Sequence, residues 1–149
     1  MYVVNRTRGT YLGVNIKLAN SFRTRLLGLY PHRALRFGDG VWLVPCNSIQ
    51  TIGMHCAIDT VFLDDEGRVV RIVEDVRPGR ILWPVREAHS TLELPAGVVR
   101  SSETRVGDTL EFVEEVDHQD AKEPRPWAVK PAIRSGPGAG TTGGGQRGT

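Results

Sequence analysis

The apolar residues of this chain fall in short runs, broken every few positions by glycine, proline or acidic residues. Several runs alternate with polar residues. That pattern predicts strands, because successive side chains of an extended chain point to opposite faces while glycine and proline supply the turns. Tyr2–Asn5 is the first. Leu12–Leu18 reads as one strand, with Leu12, Val14, Ile16 and Leu18 alternating against Gly13, Asn15 and Lys17. Asn20 or Ser21 can then cap a short helix through Phe22–Leu27, with Phe22, Leu26 and Leu29 on one face and Gly28 and Pro31 at its end. Val41–Val44 is an apolar strand stopped by Pro45. Ala57–Leu63 runs into the turn Asp64-Asp65-Glu66-Gly67, and Arg68–Val76 returns from it. Thr91–Leu94 ends at Pro95-Ala96-Gly97, and Val106-Gly107-Asp108 turns into Thr109–Val116. Many short strands and one short helix near the N-terminus predict a mainly β (α+β) fold over residues 1–116, a small single-domain β-barrel or sandwich. Residues 117–149 turn Pro-rich and then Gly-rich, which predicts a disordered tail with Pro126-Trp127-Ala128-Val129 as its one apolar piece.

Charge narrows the function classes. Residues 1–116 hold 14 Lys+Arg and 14 Asp+Glu, whereas residues 117–149 hold 5 and 3. The net +2 therefore belongs to the tail, and the domain offers no basic surface that would imply nucleic acid. Cys46 and Cys56 are the two cysteines, too few for a disulfide framework, although one bridge between them is open. No long apolar run opens the chain, so neither a signal peptide nor a membrane span is expected. The expectation is a cytoplasmic protein with reduced thiols and no membrane partner.

The chemistry concentrates between Cys46 and Asp64. Ser48, Gln50, Thr51, Met54, His55, two thiols and Asp59 lie together beside an apolar strand. A carboxylate at the start of such a strand must be hydrogen-bonded if it is buried. Asp59 could accept from Ser48, from Thr51 or from backbone amides of the irregular stretch before it, either as a pin or as a general base. Glu93, before Pro95-Ala96-Gly97, could hold that turn by accepting backbone hydrogen bonds. It could also face the same cavity as Asp59, making an acid–base pair. Met54-His55-Cys56 with Cys46 offers soft-metal donors, but without a tight Cys pair, and adjacent extended residues point apart. No catalytic-cysteine signature or Gly-x-Ser-x-Gly elbow surrounds Cys46, Cys56 or Ser48. Trp42 reads as core. Trp83, in a long loop beside Arg80 and Arg86, reads either as an aromatic open to a ligand or as a side chain that anchors the loop.

Several of these segments together carry a family resemblance. Arg25-Leu26-Leu27-Gly28-Leu29, Ser48-Ile49-Gln50-Thr51-Ile52-Gly53-Met54 and Ile58-Asp59-Thr60-Val61-Phe62-Leu63-Asp64 come first. Gly67-Arg68-Val69-Val70, Leu92-Glu93-Leu94-Pro95-Ala96-Gly97 and Val106-Gly107-Asp108 follow. In this order they resemble the domain-of-unknown-function 192 family, also called uncharacterised protein family 0127, over roughly residues 12–113. The resemblance implies a mainly β fold with a short early helix and no established reaction. Met54, Asp59 and Glu93 match the family pattern. Gln50 stands where relatives often carry His, and Tyr30 where they often carry Met, so the resemblance implies that any activity resting on that His is lost or altered here.

The reading that follows is a non-enzymatic binding module for a small ligand or a peptide, with Ser48, Gln50, Thr51, Met54, Asp59, Trp83 and Glu93 as candidate ligand-binding residues. The alternatives are a small hydrolase or transferase using Asp59 and Glu93, and soft-metal (copper or zinc) binding through Met54, His55 and a cysteine. No cofactor and no settled metal-ligand set is assigned.

Overall fold

The computed structural model describes residues 1–20 and 35–115. The helix expected through Phe22–Leu27 and the segment from residue 116 onward lie outside the described residues. Among the described residues, ten strands and one four-residue helix follow in chain order. They are β1 (Tyr2–Asn5), β2 (Thr10–Gly13), β3 (Asn15–Ala19), β4 (Asp39–Leu43), β5 (Ile49–Gln50) and β6 (Ile58–Leu63), then β7 (Val69–Val76), β8 (Ile81–Leu82), β9 (Ser90–Pro95), α1 (Val98–Ser101) and β10 (Leu110–Val113).

They build a three-stranded sheet ordered β10-β1-β2, a five-stranded sheet ordered β3-β4-β9-β6-β7, and a two-stranded ribbon of β5 with β8. Only the β3–β4 pair is parallel among these strand pairs. The sheets stay open at their edges, so of the two expected forms the layered one is realised and no barrel closes among the described residues.

The five-stranded sheet is buried on both faces. On one face, Val61, Leu63, Leu92 and Leu94 pack with Val3, Leu12 and Leu110 of the three-stranded sheet and with Val98 and Val99 of α1. On the other, Val41, Leu43 and Phe62 pack beneath Ile49 of the ribbon and Val85, and Ile58 and Val76 pack with Leu35. This two-sided burial explains why every residue of β6 is buried and why its sequence is a continuous run with little alternation.

The expected strand Leu12–Leu18 is two strands. Val14 stands out of register between β2 and β3, and the N–H groups of Val14 and Asn15 both donate to Gly38 O at 2.9 Å. Leu12 and Ile16 enter the core, while Val14, at the break, and Leu18 are exposed. Gly13 and Gly40 make room here for the Ile16 side chain: a Cβ on either would meet its Cδ1 (2.5 and 2.7 Å) and oblige it to shift, and at Gly40 it would also approach Glu93 O at 3.0 Å.

A buried polar knot joins the two ends of the described domain. Asp108 accepts from Asn5 Nδ2 (2.9 Å), Arg8 Nε (3.0 Å) and the Arg105 N–H (2.9 Å), fastening the β1–β2 turn to the loop before β10.

Candidate functional site

Asp59 lies near the start of β6 with no exposed surface. Opposite it, β7 carries a bulge: Ile58 pairs with Val76 and Thr60 with Val73, so Glu74 and Asp75 together face the one residue Asp59. The Asp75 N–H, freed from the ladder at φ 53°, donates to Asp59 Oδ1 at 3.0 Å. Asp59 Oδ2 accepts from Gly97 N–H (2.9 Å) and Val99 N–H (3.0 Å). Gly97 is the N-cap of α1 and has no side chain with which to cap it. The carboxylate of Asp59 does this from a different strand. Its partners are thus neither Ser48, Thr51 nor the irregular stretch before it, and the turn after Pro95 is held by Asp59 and not by Glu93.

Register decides the fate of the proposed carboxylate pair. Across β6 and β9, Asp59 pairs with Leu94 and Thr60 with Glu93. Directly opposed residues share a face and consecutive ones do not. Asp59 therefore lies on the face that packs against α1, and Glu93 on the face that carries Val41 and the ribbon. The sheet separates the two carboxyl groups, which removes the shared pocket a two-carboxylate hydrolase requires. Glu93 is half-buried, and burial pushes its carboxyl up from 4.5 to about 7.

Thr51 is also fully buried. Its hydroxyl donates to Arg77 O (2.7 Å) and accepts the Arg80 N–H (2.9 Å), while its carbonyl accepts the Gly79 N–H at 2.9 Å. It shapes the turn that leads into β8. Met54 and Cys56 pack against the Leu35–Ile58–Val76 cluster as soft apolar groups, and His55 is exposed. Both cysteines are free thiols, so the possible bridge is not formed. Among the described residues, no three His, Cys, Asp or Glu side chains converge as a metal site would need.

The remaining candidates do come together. In the ribbon, Ile49 pairs with Leu82 and Gln50 with Ile81. Ile49 and Leu82 point inward to the apolar clusters. Alternation then places Gln50 and Ile81 on the outward face, with Ser48 and Trp83 one step further along the same two chains. Trp83 is 79% exposed, Ile81 63% and the neighbouring Ile52 62%. Gln50 bends back so that its Oε1 accepts the Ile52 N–H at 2.8 Å. Sequence reasoning missed Ile52 and Ile81, because a two-residue strand is too short to show a period. The only signal was the i, i+2 spacing of Ile81 and Trp83.

A separate shallow cavity of about 300 Å³ is lined by Pro45, Cys46, Asn47, Ala88 and His89. There the Cys46 thiol donates to Ser48 O at 3.0 Å and the Cys46 N–H to His89 O at 2.9 Å.

Residues 3–112, from β1 to β10, match the family described as DUF192, uncharacterized ACR. The chain belongs to the DUF192 family. It is 30% identical over 113 residues to a UPF0127 protein of Pyrococcus furiosus, covering 74% of this chain and 97% of that protein. It is 27% identical over 124 residues to a UPF0127 protein of Thermococcus kodakarensis, covering 80% and 78%. In fold it is similar to a protein of unknown function from Novosphingobium aromaticivorans, whose crystal structure superposes with a TM-score of 0.66 at 20% identity over 75% of this chain and 84% of that one. That likeness bears on the DUF192 fold alone. Among the described residues of this DUF192 chain, no helix is long and apolar enough to cross a membrane.

Proposed function

We propose that this DUF192 domain is a binding module, and that its ligand, a peptide or a small molecule, docks on the outward face of the β5–β8 ribbon. The observation that carries this is the exposure of Trp83, at 79%, and of Ile81 and Ile52 along a ribbon whose other face is anchored in the core. A large aromatic held open on a rigid support supplies contact area at low cost in side-chain entropy. Ser48 and Gln50 add polar groups on the same face. Asp59 and Thr51 support the reading differently: each is saturated by backbone partners, so they shape the site's scaffold and are not offered to a ligand.

The test is a thermal-shift screen of the full chain and its Trp83→Ala variant against peptides, sugars and nucleotides. A ligand present at a hundredfold excess over its dissociation constant stabilises the folded form by about 2.7 kcal/mol. The expected outcome is a shift in the wild type that the variant loses. A shift of equal size in the Trp83→Ala protein would place the site elsewhere.

A further inference from the structure

The surroundings of Trp83 narrow the ligand. Between Val76 and Glu87 the chain holds three arginines, Arg77, Arg80 and Arg86, and no carboxylate. All three are exposed. The ion pairs of the described residues engage Arg6, Arg8, Arg68 and Arg100, and none engages these three. The backbone fixes where they sit. Thr51 binds Arg77 O and the Arg80 N–H, which sets the backbone of both arginines at the end of the ribbon next to Gln50 and Ile52. At the other end the Val85 N–H donates to Asn47 O at 2.8 Å, placing Arg86 just beyond Trp83. Cationic groups without acidic ion-pair partners among the described residues thus stand toward both ends of an apolar face, in a domain whose 14 basic and 14 acidic residues balance as a whole.

We infer that the ribbon takes an acidic peptide segment in extended conformation, a reading that rests on the ribbon being the binding face. The apolar strip of Ile52, Ile81 and Trp83 would receive alternate apolar side chains, and the arginines would meet carboxylates before and after them. Neither strand of the ribbon pairs with any other described strand, and the peptide would add to the ribbon through main-chain hydrogen bonds. A nucleic acid fits less well. Single-stranded recognition stacks successive bases on several aromatic rings, whereas this face has one aromatic and two aliphatic residues.

The experiment uses the full chain with three labelled probes read by fluorescence anisotropy: a short peptide alternating valine and glutamate, its valine–glutamine counterpart, and a short single-stranded oligonucleotide. The glutamate peptide is expected to bind roughly tenfold more tightly than the glutamine peptide at low salt, the sum of a few exposed ion pairs. High salt should close that gap, and so should the triple variant Arg77→Gln/Arg80→Gln/Arg86→Gln. Trp83→Ala should weaken both peptides. If the triple variant does not fold, the salt dependence of the wild type decides alone. Equal affinity for the two peptides, still lost in Trp83→Ala, would overturn the acidic preference and leave the binding face standing. Peptide binding indifferent to Trp83, or no binding of either peptide, would overturn both. A tighter oligonucleotide that depends on the arginines would overturn the peptide in favour of nucleic acid.

Discussion

At Asp59 a carboxylate without exposed surface is tolerated because three backbone N–H groups surround it, one from the β7 bulge and two from the start of α1. Each of these donors has no other ladder or helix partner to return to. Asp59→Ala should therefore lower stability by roughly 3 kcal/mol or more, with the penalty set by the orphaned donors. Urea denaturation checks this, and a loss under about 1 kcal/mol would contradict the pinning role. Glu93 behaves in the opposite way. Burial raises its carboxyl from 4.5 to about 7, so between those values the folded chain holds a proton that the unfolded chain has released. Stability contributed by the neutral form is full below the unfolded value and declines as pH rises through that window. Glu93→Gln cannot ionise. Relative to wild type it should gain stability between about pH 4 and pH 8, by at most about 3 kcal/mol and less to the extent that the partly exposed residue keeps some solvent. A difference between the two proteins that stays flat across this range would show that Glu93 ionises without cost.

At the scale of elements, the ribbon depends on one threonine. β5 and β8 have two residues each, too few to hold a register by ladder bonds alone. Thr51 supplies the missing order by binding the Arg77–Arg80 turn through its hydroxyl, its N–H and its carbonyl. Thr51→Val keeps the volume and removes the hydroxyl. It should cost about 1–2 kcal/mol and speed hydrogen exchange at the Arg80 amide, with little change in the β6–β7 hairpin. Uniform acceleration over the whole domain would mean that the ribbon does not open on its own. The hairpin itself was legible in the sequence, because Asp64 accepts the Glu66 and Arg68 N–H groups (2.9 and 2.8 Å) and Gly67 takes φ 79°, all local features of the turn. The break at Val14 was not legible. Its cause is Gly38, a residue far along the chain whose carbonyl draws two consecutive N–H groups.

At the scale of the molecule, the three layers leave one face of the ribbon outside the packing. Trp83 is exposed to 79%, so Trp83→Ala removes little buried area and should change unfolding stability by no more than about 0.5 kcal/mol. The same substitution should abolish the ligand-induced thermal shift. A loss of stability well beyond that figure would mean that the indole is part of the fold, and the binding role would lose its support.

The mainly β class, most strand positions and the β6–β7 turn were set by the sequence alone, because a period of two and the residues of a tight turn act over a few positions. The sequence also singled out Asp59, Glu93, Trp83 and the Ser48–Thr51 stretch. It could not assign them roles. Asp59 and Glu93 are both acidic residues in apolar strands, and only the pairing of Asp59 with Leu94 and of Glu93 with Thr60 sends them to opposite faces. Ser48 and Trp83 are distant in sequence, and only the two-residue pairing of β5 with β8 sets them on one surface. Register and layer contact are non-local, and a shift of one residue would reverse every such assignment, so these roles exist only once the sheets have formed.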